Sequence, residues 1–305
     1  METKIKLWQT GKLIEQAPGI QGMYEQIEQC GRICYRSIPK GGKSAESFAQ
    51  AMVSSGHHAM LEHGTVYLTM PVNSPTDEPH PIVYNKYTKA HRVFKPFHDG
   101  RGMDYITTNY RVLIENGWTD LLQYWSEPDE MHFRRLSILF DTSIGISREF
   151  NRHRVNSMAE SSTRYCNYTK DKFGGAISVI EPNWLRDRAA VVAMTVKNKT
   201  LKDCCEEIYL ERDKEWEKLD YWLFAMETAN YCYQKLIELG CKPQEAREVL
   251  PLSTNTQLVH TAFIDDWKHF LELRAQDTPT NHPHPMAKEI ASQVQASLQG
   301  AGYIR

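Results

Sequence analysis

Hydrophobic positions along the chain follow two periods, and the period switches several times. Ile20, Met23, Tyr24, Ile27 and Cys30 recur every three or four places, which is one face of a helix. A second helix is predicted over residues 45–55, with Ser44 as N-cap and Gly56 at its end. Residues 65–72 are β-branched and aromatic, a strand pattern, and residues 4–8 alternate as a first strand would. Residues 105–113 and 135–141 predict two more strands, and Ser143 caps a helix over 144–152 that runs out into a loop.

The second half is more helical. Residues 201–239 carry a long helical pattern with Trp216, Leu219, Trp222, Leu223 and Met226 on one stripe, stopped by Gly240. Pro243 opens a short helix and Pro251 ends it. A strand is predicted over 252–262, a helix over 266–274 capped by Asp265, and an amphipathic helix over 285–298. Residues 73–102, polar with four prolines, are expected to form a surface excursion with one short helix around 84–91. Strands and helices come in clusters and not in βαβ alternation. The expected class is therefore α+β, a mixed sheet with packed helices, with residues 1–305 as one domain.

Composition narrows the function. The 36 Lys and Arg are matched by 38 Asp and Glu, a net charge of -2, so the chain lacks the basic footprint of a nucleic-acid binder. The opening METKIKLWQTGKLIEQ holds no long apolar run, so neither a signal peptide nor a membrane span is expected. Cys30 and Cys34 are spaced as neighbours on a helix and Cys204 adjoins Cys205, which is neither a zinc nor a redox spacing. No metal site is assigned, and reduced thiols in a cytoplasmic protein are expected.

Against that neutral background, residues 148–165, REFNRHRVNSMAESSTRY, concentrate arginine, serine and glutamate. Arginine forks around Ser161 and Ser162 would suit a small phosphorylated anion, because a guanidinium matches phosphate oxygens two at a time. Three more polar segments stand out. They are Gly56–His63 (GHHAMLEH), residues 246–251 (AREVLP), and FLELR ending at Arg274 with HPHPM after it.

Taken in order, these segments resemble the flavin-dependent thymidylate synthases. That family's signature is RHR, seven residues, then Ser; here it is Arg152-His153-Arg154, VNSMAES, Ser162, and the resemblance runs from about Cys30 to about Ile290. It implies a homotetramer with active sites where subunits meet, and C5 methylation of dUMP. The carbon would come from methylenetetrahydrofolate and the hydride from NADPH by way of FAD.

By the same resemblance, Glu149, Arg152, Glu160, Ser162, Arg164, Arg247 and Arg274 would bind dUMP, with Arg164 on its phosphate. Cys34, His57, Glu62, Arg152, His153, Arg154 and His284 would contact FAD. Arg274, Ser162 and His57 are the candidate catalytic residues, Arg274 by stabilising enolate charge beside the uracil carbonyls. Ser162 has no obvious base in the sequence, which favours binding over nucleophilic attack. Ala159, Cys34, Phe263 and Asp265 depart from residues that members of the family carry at those places, the last two where asparagine and arginine often touch the flavin. Three other readings compete: the same chemistry, or hydroxymethylation, on another pyrimidine nucleotide such as UMP; a nucleotide sensor without catalysis; and an RNA binder, which the net charge disfavours.

Overall fold

The computed structural model describes residues 3–6, 8–38, 41–94, 102–185 and 216–305. Its centre is a four-stranded antiparallel sheet in the order β2 (Thr10–Ile14), β6 (Arg135–Ser143), β9 (Asn255–Phe263), β7 (Ser157–Glu160). One face of this sheet packs against α4 (Ile144–Phe150), α7 (Ile264–Arg274) and α8 (Pro285–Gly300). Phe140, Phe150, Trp267, Phe270, Ile290 and Val294 form the core between them. The other face meets α1 (Gly19–Tyr35) through Ile14, Cys30, Ile33, Ala159 and Val259. Alternation along β9 produces this split, since Leu258 and Ala262 face one layer and Val259 the other.

A three-stranded antiparallel sheet, β3 (Thr65–Val72), β5 (Gly102–Asn109), β4 (Lys89–Phe94), builds a second core with α1 and α2 (Ala45–Ser54). A parallel pair, β1 (Lys4–Lys6) and β8 (Ser178–Ile180), lies against α5 (Lys218–Glu238). The class is α+β. Among the described residues, no helix is long and apolar enough to cross a membrane.

Several expectations hold at residue level. Ser44 caps α2 and Ser143 caps α4, each hydroxyl accepting the N–H three residues on. Gly240, at φ +95°, follows the end of α5, and Thr65–Val72 is a strand over its full predicted length. Of the predicted helix over 201–239, residues 201–215 lie outside the described residues, and Trp216 precedes the helix.

Others are corrected. The strand expected over 105–113 stops at Asn109, whose Oδ1 accepts the Val112 N–H at 3.2 Å and starts α3 (Tyr110–Asn116). A short apolar run such as Val112–Leu113–Ile114 fits strand and helix equally, and the cap decides. No helix forms around 84–91. Pro81–Tyr84 makes a single 3₁₀ turn, and Lys89–Phe94 pairs with β5 as an edge strand, so residues 73–102 are not simply an excursion. Asp265 is not the cap of α7; the cap position is Phe263, and Asp265 accepts from Lys89 Nζ at 3.2 Å. That lysine also lies 4.8 Å from the Phe263 ring centre, so the two departures noted in the sequence both hold the edge strand to α7. Strands β2 and β7 were not anticipated. Gly11 breaks the pattern of β2 because α8 packs there: a Cβ on Gly11 would sit 2.7 Å from Val294 Cγ2. Polar β7 is a strand because β9 offers it an edge, with Ser157 opposite Thr261 and Glu160 opposite Leu258.

Candidate functional site

Residues 148–165 run as the end of α4, a turn, β7 at the sheet edge, and a second turn. The first turn separates the Arg-His-Arg triplet: Arg152 and Arg154 are exposed, and their guanidiniums have no partner among the described residues. His153 between them is buried, 8% exposed, with its ring 4.8 Å from that of Phe270.

Arg274, at the end of α7, closes on this turn. Its Nη1 donates to Glu149 Oε2 at 3.0 Å, its Nη2 to the Glu149 carbonyl at 2.8 Å, and its Nε to His153 Nε2 at 3.2 Å. Burial first, then the Arg274 and His269 charges, pull the His153 pKa down to about 4. The imidazole is thus neutral near pH 7, and its Nε2 can accept the Arg274 proton. Glu149, His153 and Arg274 form one oriented cluster.

Glu160 ends β7 and is held on three sides. Its Oε1 accepts from Ser147 Oγ at 2.8 Å and Thr256 Oγ1 at 3.0 Å, and its Oε2 from Asn151 Nδ2 at 3.0 Å. Asn151 Oδ1 lies 3.3 Å from Nε2 of buried His260. The next two residues are pinned by backbone, Ser161 N–H to the Gln257 carbonyl and Ser162 N–H to the Cys34 carbonyl, both at 2.8 Å. Ser162 Oγ accepts the Arg164 N–H at 3.2 Å and bonds to no basic side chain among the described residues.

Past this segment opens a cavity of about 610 Å³ lined in part by Arg148, Glu160, Ser161, Ser162, Thr163 and Arg247. Arg247 stands on the turn after α6 (Pro243–Ala246) and lies 3.6 Å from Glu248. Arg164 does not line the cavity. It is exposed and donates to Gln244 Oε1 at 3.1 Å, so it meets the same short helix that leads to Arg247.

The histidine-rich segment is a 3₁₀ turn over His58–His63. Arg111 Nη1 donates to Glu62 Oε1 at 2.5 Å, and the buried Arg135 donates to the Glu62 carbonyl at 2.5 Å. His63 is fully buried against Thr261, and burial lowers its pKa to about 3. His57 is exposed and has no side-chain partner among the described residues. Cys34 Sγ lies 3.8 Å from Met60 Sδ, joining α1 to this turn. Burial raises the Cys34 and Cys166 thiols, which keeps both protonated and unsuited to nucleophilic attack. His284 is exposed, and its Nδ1 accepts the Met286 N–H to start α8.

The structure therefore unites Glu149, His153 and Arg274, and separately Glu160, Ser162 and Arg247 with Cys34 behind them. Glu62 is fixed on its own turn. Arg152, Arg154, His57 and His284 stand at the surface outside these clusters. Sequence reasoning missed Arg148, Ser147, Asn151 and Thr256. Ser147 and Asn151 are four apart on one face, a signal that becomes legible only once Glu160 is known to lie against it.

Fold and site thus define an α+β protein with a polar, arginine-flanked cavity at a sheet edge. The family described as Thymidylate synthase complementing protein matches residues 129–298, and the chain belongs to that family. Among curated relatives, the flavin-dependent thymidylate synthase of Thermosipho melanesiensis is 32% identical over 134 residues, 44% of this chain and 51% of the relative. That of Thermococcus onnurineus is 25% identical over 185 residues, 52% of this chain and 64% of the relative. The chain spans about half the length of the Thermosipho relative it matches. Among solved structures, the UMP/dUMP methylase PolB of Streptomyces cacaoi bound with 5-Br UMP aligns over 98% of this chain and 92% of its own, at 16% identity and a TM-score of 0.44. ThyX of Helicobacter pylori complexed with FAD and dUMP aligns over 55% of this chain and 70% of its own, at 19% identity and a TM-score of 0.36.

Proposed function

We propose that the protein reductively methylates C5 of dUMP to dTMP, with methylenetetrahydrofolate giving the carbon and NADPH the hydride. The observation that carries the reading is the cavity in which Glu160, Ser162 and Arg247, three residues expected to hold dUMP, meet with Arg148 beside them. Two guanidiniums and the hydroxyls of Ser162 and Thr163 suit one phosphate dianion, and the overall charge of -2 needs no broader basic surface.

Glu160 acts as a fixed acceptor for the nucleotide, because three protein donors already set its position. Arg274 is held on one side by Glu149 and His153, which leaves one N–H on each Nη for a uracil carbonyl where negative charge develops as C5 attacks. No cysteine takes part, in keeping with the raised Cys34 and Cys166 thiols.

FAD fits the residues present. The exposed Arg152 and Arg154 guanidiniums and the His57 imidazole are uncommitted, and Glu62, on the turn that follows His57, is fixed by Arg111. These residues, with Cys34, His153 and His284, would hold the flavin, which when bound supplies the hydride relay. Because several of them stand at the surface of one subunit, the reading includes a homotetramer whose sites are completed between subunits. The reading further takes the chain as one domain working in the cytoplasm.

The test is the visible spectrum of the purified protein with FAD, before and after dUMP or UMP, followed by turnover with methylenetetrahydrofolate and NADPH. A flavin band shifted by dUMP, and faster turnover of dUMP than UMP, is expected. Preference for UMP would reassign the substrate. Absence of a flavin band after loading would overturn the enzyme reading in favour of a sensor.

A further inference from the structure

Arg36 is absent from every set of residues above, and the backbone holds it in an uncommon state. Among the described residues it is the sole non-glycine with positive φ, at φ 43° and ψ 49°, where it terminates α1. That left-handed conformation disfavours a side chain with a Cβ, so something in the fold holds arginine there.

Its guanidinium shows what that is. Nε donates to Ser161 Oγ at 3.3 Å, and Nη2 donates to the Asn255 carbonyl at 3.1 Å. The group lies 5.9 Å from the centre of the Tyr168 ring, and no carboxylate is within ion-pair distance among the described residues. Both acceptors are themselves anchored: Ser161 Oγ donates to the Ile33 carbonyl at 3.2 Å, and Asn255 Nδ2 donates to Asp141 Oδ1 at 2.5 Å. Arg36 thus ties three elements at one point, the end of α1, the turn after β7, and β9. Ser161 and the adjoining Ser162 line the nucleotide cavity, whereas Arg36 stands behind them in the wall of a neighbouring cavity of about 530 Å³.

We propose that Arg36 is a positioning residue for the nucleotide: it fixes the Ser161–Ser162 turn from behind, so that the Ser162 hydroxyl on the cavity wall faces the phosphate already arranged. The inference rests on the function proposed above. Glycine at this position relieves the left-handed backbone while removing the guanidinium, so the gain at the helix end offsets part of the stability lost with the two hydrogen bonds and the effect on nucleotide binding can be read apart from it.

The experiment compares the wild-type FAD-loaded enzyme with Arg36→Gly and Arg36→Lys. It measures dUMP affinity by calorimetry, KM and kcat separately, and the melting temperature. Arg36→Gly is expected to raise the dUMP Kd and KM by about tenfold, the effect of one lost charge-assisted contact, with kcat within about twofold. Melting should stay within a few degrees of wild type, and Arg36→Lys should recover part of the affinity. Unchanged dUMP affinity in Arg36→Gly overturns the inference. So does a loss of affinity accompanied by an equal loss of kcat and a large drop in melting temperature, which would make Arg36 structural. A wild-type enzyme that binds no dUMP would instead overturn the functional reading itself.

Discussion

Lowering the pH from 7 to 5 should destabilise this protein steeply, and three histidines say by how much. His63 and His260 are wholly buried, and His153 is 8% exposed. Burial is the largest cause of each shift, and neighbouring ionisable groups add to it by opposing a further proton: Arg135 at His63, Arg274 and His269 at His153, and His153 and His63 at His260. Their folded pKa values fall to about 3, 4 and 3 respectively. In the unfolded chain each returns to about 6.5. Below that value the unfolded state takes up protons that the folded state refuses. Stability is therefore fully present above about pH 6.5, is lost as pH falls, and goes on falling until the folded values near 4 and 3 are reached.

Between pH 7 and 5 each histidine costs about 2 kcal/mol, so the three together cost about 6 kcal/mol, a large share of an ordinary folding free energy. Between pH 6 and 5 the slope from these groups approaches three protons, or about 4 kcal/mol per pH unit. The assay is urea unfolding at fixed protein concentration at pH 7, 6, 5.5 and 5, with the unfolding free energy plotted against pH. His260 lies 3.2 Å from Asn156 Nδ2 through its Nδ1 as well as 3.3 Å from Asn151 Oδ1 through its Nε2, and His260→Gln, which keeps a polar side chain between them, should lower that slope by one proton. A slope below one proton over pH 6 to 5 in the wild type would refute the assignment of three neutral buried imidazoles.

Other expectations concern the site and the packing around it. Glu160→Ala leaves Ser147, Asn151 and Thr256 without their shared acceptor and should cost about 1–3 kcal/mol of stability together with dUMP affinity, measured by urea unfolding and calorimetry. Unchanged dUMP binding in a folded Glu160→Ala would remove Glu160 from the site. Arg274→Ala strands Glu149 and should lower kcat more than it raises KM, read by steady-state kinetics; equal effects would leave Arg274 a binding residue only. Gly11→Ala places a methyl 2.7 Å from Val294 Cγ2 and 3.0 Å from Ile290 Cγ2, an overpacking that should cost about 1–3 kcal/mol by urea unfolding.

Local signals in the sequence determined much of the fold. Ser44 and Ser143 announce their helices because a hydroxyl that accepts an N–H three residues on needs nothing beyond its own turn. The strand over Thr65–Val72 follows from its β-branched and aromatic residues, and the helix through Ile20–Cys30 from periodicity. The ordered motifs from Gly56 to Met286 carried the family, and the match over residues 129–298 agrees with them.

What the sequence did not determine depends on partners distant along the chain. Strand β7 exists because β9 offers its edge, a pairing across about a hundred residues that no local pattern encodes. Lys89 reads as part of a short helix on a surface excursion until Phe263 and Asp265 are seen beside it. Glu160 becomes a fixed acceptor only when α4 brings Ser147 and Asn151 against it and β9 brings Thr256. The Arg-His-Arg triplet shows the division most plainly. The sequence supplied a histidine between two arginines, and the turn after α4 buried the middle residue against Phe270 and Arg274 while leaving its two neighbours exposed. Burial is a property of the assembled layers, so which of the three is enclosed and which face solvent was settled only by tertiary structure.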